Sequence, residues 1–164
     1  MQDLKSAGVE IYPYLQFKKV GKLTTVNYRS HRKIAVIDGK IGYVGGLNLD
    51  KEQLDPPAFD TWRDTHLRMV GEAAWALQMS FIISWLNTTG QKVTGKKYFP
   101  EVETNTFMPV QLIQSGPDSQ WKGIRQLYFL MIMSAEKKLY MQSPFFIPDE
   151  SILEALKAAA LGSP

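Results

Sequence analysis

Apolar positions fall along this chain in short runs broken by Gly, Pro and charged residues, and the period of each run points to the element it favours. Val9-Glu10-Ile11-Tyr12 predicts a strand, and Leu15 to Asn27 is irregular. Lys33-Ile34-Ala35-Val36-Ile37 and Ile41-Gly42-Tyr43-Val44 flank Asp38-Gly39-Lys40, and an Asp-Gly between two such runs is a strong hairpin signal. Arg63 to Val70 predicts a further strand. Glu72 to Asn87 predicts a helix buried on much of its circumference, with Trp75, Met79, Ile82 and Trp85 or Leu86 on one side. Trp and Met at that spacing belong to a core, not to a cofactor site. Thr88 to Phe107, with Gly90, Gly95 and Pro100, marks a connecting loop. Val110 to Ile113 and Lys138 to Gln142 predict two more strands, and between them Ile124, Leu127, Tyr128, Met131 and Ile132 fall at helical spacing. Asp149 is placed to cap a last helix through Ile152, Leu153 and Leu156. The class these elements give is α/β.

Composition narrows the setting. The chain has 164 residues and 45% hydrophobic content, enough for a packed core, and no cysteine, so disulfides and thiolate metal sites are excluded. Net charge is +3, with Lys18, Lys19, Lys22, Arg29, Arg32 and Lys33 gathered just ahead of and within the hairpin. A basic approach of that kind attracts acidic lipid or nucleic acid. Met1 to Lys5 lacks the basic-then-apolar order of a secretory leader. The longest near-apolar stretch, Ala73 to Leu86, is interrupted by Gln78, Ser80 and Ser84 and falls short of the roughly 20 residues a spanning helix needs.

The candidate chemistry lies in His31 to Asn48. There His-x-Lys is followed after four residues by Asp38 and after six more by Gly45-Gly46-x-Asn48. Alternate residues of a strand share a face, so His31 and Lys33 point the same way, one offering an imidazole and the other an ammonium. Gly45 and Gly46 remove side-chain bulk where a backbone must approach a ligand, and the Asn48 amide can donate to a phosphoryl oxygen. For any one residue, a hairpin with a surface Lys and an exposed His would account for it. All of them at this spacing favour chemistry at phosphorus.

This stretch resembles the signature of the phospholipase D superfamily, often called the HKD motif. The wording around it resembles the bacterial cardiolipin synthase branch: Asn27 to Lys33, Val36 to Lys40, Val44 to Leu49, Trp62 to Arg68, Ser115 to Asp118, and Pro144 to Glu150. The likeness therefore covers nearly the whole chain. One departure is Asp50-Lys51-Glu52-Gln53, where members of the family more often read Asp-Glu-Tyr a little after the Asn.

The resemblance implies a phospholipase D-like mixed sheet flanked by helices, in which two similar halves each carry one motif and the two meet at a single active site. On that basis residues 1–105 are expected to be the motif-bearing part of the first half and residues 106–164 the opening part of the second. Only His31 and His66 are present, and Arg68, not Lys, stands two residues after His66. A second motif is therefore absent, and the chain is expected to be part of a longer protein. The resemblance makes His31, Lys33 and Asp38 the catalytic set. His31 would be the nucleophile, Lys33 and Asn48 would hold non-bridging oxygens, Asp38 would organise the hairpin, and Gly45 and Gly46 would give close backbone approach. Asp64 matches a family carboxylate that hydrogen-bonds the catalytic His, although a salt bridge to Arg63 or Arg68 is an equally good reading.

The activity implied is phosphatidyl transfer from phosphatidylglycerol through a phosphohistidine, with phosphodiester hydrolysis, by a phospholipase or a homodimeric nuclease, or inert binding of anionic lipid as the alternatives. The expected partners are phosphatidylglycerol, an anionic membrane surface, and either the missing second half or a second copy; nucleic acid is not expected. No cofactor is called for. A metal site built on His66, Asp60 and Asp64 is rejected, because no fourth ligand is placed. The expected location of the full-length protein is the cytoplasmic side of the bacterial cell membrane.

Overall fold

The computed structural model describes residues 2–14, 30–49, 64–103, 107–116, 119–143 and 145–162. The basic run over 18–29, the segment 50–63 with Trp62 and Arg63, and Pro117, Asp118 and Pro144 lie outside the described residues. The chain divides into two compact units, Met1–Leu112 and Ile113–Pro164.

The first unit opens with the short helix α1, Gln2–Ser6. Gly8, at φ 85, closes it: Val9 N–H donates to Leu4 O and Gly8 N–H to Lys5 O, a pairing that only a left-handed residue permits without a Cβ penalty. The expected hairpin follows as β1, Lys33–Ile37, and β2, Ile41–Gly45, with Ile37 opposite Ile41 and Lys33 opposite Gly45. Asp38 and Gly39 both take positive φ, 54 and 67, and Lys40 N–H donates to Ile37 O at 3.0 Å. That twist matches the right-handed twist of the strands, which is why Asp-Gly works here. Gly39 is also pressed upon by the 3-10 turn Lys96–Tyr98: a Cβ there would lie 2.5 Å from Tyr98 O and 2.8 Å from the Pro100 ring.

β3, His66–Val70, pairs antiparallel with β2, giving the order β1-β2-β3. Successive side chains alternate between faces, so Ile34, Val36, Gly42, Val44, Leu67 and Met69 share one face while Lys33, Ala35, Tyr43, Gly45, His66 and Arg68 share the other. The helix α2, Glu72–Thr89, covers the first face. Gly42 makes that contact close, since a Cβ there would fall 2.7 Å from Leu77 Cδ1 and 3.4 Å from Ala74 Cα. Ala74 and Leu77 are fully buried. Burying a Leu side chain stabilises by about 1.5–3 kcal/mol, so this contact anchors the unit.

The buried side of α2 matches the expectation at Ile82 and departs from it at Met79. Its core positions are Ala74, Leu77, Gln78, Ser80 and Ile82, whereas Met79 is 46% exposed and Leu86 37%. Small residues at 74 and 80 let the helix settle onto the sheet, and the larger rings go elsewhere. Trp75 meets Phe99 edge-on, and Trp85 meets Tyr12 edge-on with centroids 5.0 Å apart. The helix ends at Gly90 in the left-handed region, whose N–H donates to Leu86 O.

In the second unit the helices α3, Gly123–Met133, and α4, Glu150–Leu161, pack together, with Ile132 and Ala155 buried. Asp149 caps α4, its carboxylate accepting from Ile152 N–H at 3.0 Å. That expectation holds.

Two corrections concern the sheet. It is antiparallel throughout its three strands instead of mixed, and residues 9–12, 110–113 and 138–142 form no strand. An apolar run becomes a strand only when a neighbour takes its N–H and C=O groups, and no ladder among the described residues does so for these three. The α/β character stands: a three-stranded antiparallel sheet packs against helices.

Candidate functional site

Three positions stand in a row across the sheet. Lys33 is opposite Gly45 and Gly45 is opposite His66, so their side-chain directions share the face turned away from α2. Strands lie about 4.8 Å apart, which puts the Lys33 and His66 backbones roughly 10 Å from each other with no side chain between them. The His66 ring occupies the gap. A Cβ at Gly45 would lie 2.5 Å from both Cγ and Cε1 of that ring. Gly45 is therefore needed for a close approach, and its side-chain-free surface is the seat of an imidazole.

His31 precedes β1 on the same alternation as Lys33, and Lys33 Nζ donates back to the His31 carbonyl at 2.9 Å. Between them Arg32 goes the other way, with Nη1 donating to Ser84 Oγ of α2 at 3.4 Å. This contact ties the segment ahead of β1 to the helix side, while Lys33 lies on the open face. The His31 and His66 residues are exposed, and neither imidazole has a hydrogen-bond partner among the described residues.

The chain leaves β2 at Gly45 beside Lys33 and enters β3 at His66, so the two ends of the intervening segment return to one sheet edge. There Gly46 N–H donates to Asp64 Oδ1 at 3.2 Å, and a Cβ on Gly46 would sit 2.8 Å from Oδ2. Asp64 is thus engaged by the motif's second glycine. It makes no ion pair with Arg68 and no hydrogen bond to His31 among the described residues. Gly46 has just left the ladder, and its N–H finds its acceptor in this carboxylate. Asn48, two residues on, is exposed and belongs to the same edge of the sheet by chain position.

The structure therefore brings Lys33, Gly45, Gly46, Asp64 and His66 to one end of the sheet, with His31 two residues ahead of Lys33 and Asn48 two residues after Gly46 along the chain. Asp38 is not among them. It occupies the hairpin turn at the other end of β1, roughly 16 Å along the strand from Lys33. His66, which lies outside the motif spacing, stands on the open face over Gly45. The signal was present as Asp64-x-His66-x-Arg68, a polar alternation whose meaning depended on which face β3 presents and on what stands opposite. Two cations, Lys33 and Arg68, share the open face with the His66 imidazole, an arrangement suited to an anion. No group of three metal-binding side chains gathers among the described residues.

The chain is 49% identical over 164 aligned positions to the cardiolipin synthase of Halalkalibacterium halodurans, an alignment covering 98% of this chain and 33% of that protein. The chain is homologous to cardiolipin synthases. Cardiolipin synthase 2 of Bacillus cereus is 45% identical, again over 98% of this chain and 32% of the relative, and the cardiolipin synthase of Staphylococcus aureus is 49% identical over 84% of this chain and 28% of the relative. The chain thus spans about a third of the length of these cardiolipin synthases. No family model and no solved structure matches it. No helix among the described residues is long and apolar enough to cross a membrane.

Proposed function

We propose that this chain supplies one of the two phosphate-binding motifs of a cardiolipin synthase, with His31 as the nucleophile. The observation that supports the reading is the pairing of Lys33, at the head of β1 and two residues after His31, with Gly45 on the face that α2 leaves open. An imidazole nitrogen of His31 attacks the phosphorus of phosphatidylglycerol. The P–N bond forms as the bond to the glycerol headgroup oxygen breaks, and glycerol leaves with a proton from a second, protonated histidine. A hydroxyl of another phosphatidylglycerol then attacks phosphorus, gives its proton to that second histidine, and releases His31 as cardiolipin forms. Lys33 and Asn48 hold the non-bridging oxygens and stabilise the charge of the five-coordinate transition state.

On this reading residues 1–105 are the motif-bearing part of a first half and residues 106–164 the opening of a second. The partner that completes the site is the second motif, from the rest of a longer protein or from another copy. Basic side chains at the site draw the protein to an anionic membrane surface, on the cytoplasmic side in the full-length protein. Asp64 acts through Gly46, fixing the turn after β2 from which Asn48 reaches the phosphoryl group.

A chimera tests this. The segment replaces its counterpart in the Halalkalibacterium halodurans synthase, and cardiolipin formation from phosphatidylglycerol is followed. Activity is expected, with His31→Ala abolishing it and Lys33→Ala lowering it at least a hundredfold. Cardiolipin at an undiminished rate from the His31→Ala chimera would overturn the assignment.

A further inference from the structure

The Lys33, Gly45, His66 row holds an imidazole that the chemistry above does not use. We propose that His66 is a phosphate-binding residue of the same site, seated over Gly45 and donating a ring N–H to a non-bridging phosphoryl oxygen that Lys33 also holds. This rests on the reading of the site as a phosphoryl centre and adds a group to it.

Several observations converge. His66 lies in register with Lys33 through Gly45, on the face that α2 leaves open. Any side chain at 45 would overlap the ring, so the absence of one at that position is what lets the imidazole lie on the sheet surface instead of standing away from it. The ring is exposed and makes no hydrogen bond among the described residues, which leaves its N–H available to a ligand. Lys33 and Arg68 share its face, whereas the nearby carboxylate, Asp64, is already engaged by Gly46 N–H. The ring lies over Gly45 towards Lys33, whose ammonium donates to the His31 carbonyl at 2.9 Å and would exchange that acceptor for a phosphoryl oxygen shared with His66. The ligand chemistry is a phosphate ester or phosphate ion, and the structure favours neither source by itself.

Having only two histidines makes the test direct. Imidazole resonances of the isotope-labelled 164-residue chain are assigned with His31→Ala and followed as inorganic phosphate is added, then as dihexanoylphosphatidylglycerol is added below its micelle concentration. Saturable movement of both rings supports the proposal. The lipid moving them at lower concentration than phosphate identifies the headgroup as the ligand, and the reverse order identifies the free ion. Losing a hydrogen bond to a charged group corresponds to about a ten- to hundredfold weakening, expected for His66→Ala, with His66→Gln restoring part of it and neither changing the thermal midpoint. Gly45→Ala should remove the His66 response while the His31 response remains. Movement of His31 alone overturns this proposal and leaves the phosphoryl site standing. Movement of neither ring overturns both. A full His66 response in Gly45→Ala shows that the seat over the glycine is not what places the ring.

Discussion

Gly46 and Asp64 are joined backbone to side chain: the glycine N–H donates to Oδ1 at 3.2 Å, and the space where a Cβ would stand is filled by the carboxylate itself. The pairing spans the segment between β2 and β3 and ties both ends to the edge that carries His31 and Lys33. Gly46→Ala is therefore expected to push Asp64 out and lower phosphatidyl transfer in the chimera at least tenfold, while Asp64→Asn, which still accepts from that N–H, should keep more activity than Asp64→Ala. Equal activity in Asp64→Asn and Asp64→Ala would show that the acceptor role is unimportant.

Leu77 fills the contact over Gly42 and is fully buried. Leu77→Ala should destabilise the first unit by about 2–5 kcal/mol, measured by urea unfolding, because the lost contacts are compounded by a cavity. Met79→Ala, at a half-exposed position that helical spacing alone would assign to the core, should cost far less. The reverse ranking would mean that the helix sits on the sheet by a different face.

Asp38 holds φ 54 in the hairpin turn. Asp38→Asn and Asp38→Gly keep a residue that enters the left-handed region readily, and both should fold as the parent does. Asp38→Val should lose about 1–2 kcal/mol through the clash of its branched Cβ with the backbone. If Asp38→Asn abolishes transfer in a chimera that is folded, Asp38 has a role beyond the turn, despite its distance from Lys33.

Arg125 donates through Nε and Nη2 to the two carboxylate oxygens of Asp149, the second at 3.0 Å, while Asp149 caps α4. The Arg125 hydrogen bonds, with the Ile152 N–H next, hold the Asp149 pKa down from 3.8 to about 2. A carboxyl more acidic when folded than when unfolded contributes stability that is complete above 3.8 and disappears as pH falls towards 2. Helical signal from α4 should therefore fall across that window in the parent chain, and Asp149→Asn should show a flatter acid dependence there. Identical acid curves for the two would remove Asp149 as the cause.

Local rules reached some features of this protein from the sequence by itself. Asp38-Gly39 specified the hairpin because turn dihedrals depend on two residues, and Asp149 announced a helix start because a cap bonds three residues ahead. The helix from Glu72 was legible for the same reason. Other features rested on what lies far off in the chain. Residues 9–12, 110–113 and 138–142 carry strand-like composition, yet a strand exists only where a partner accepts its hydrogen bonds, and pairing is not a property of the run itself. Which side of α2 is buried was decided by the bare backbone at Gly42, and which way His66 faces by Gly45, each a glycine whose meaning came from the residue packed onto it. A missing side chain is visible in the sequence, but what fills its place depends on the tertiary structure.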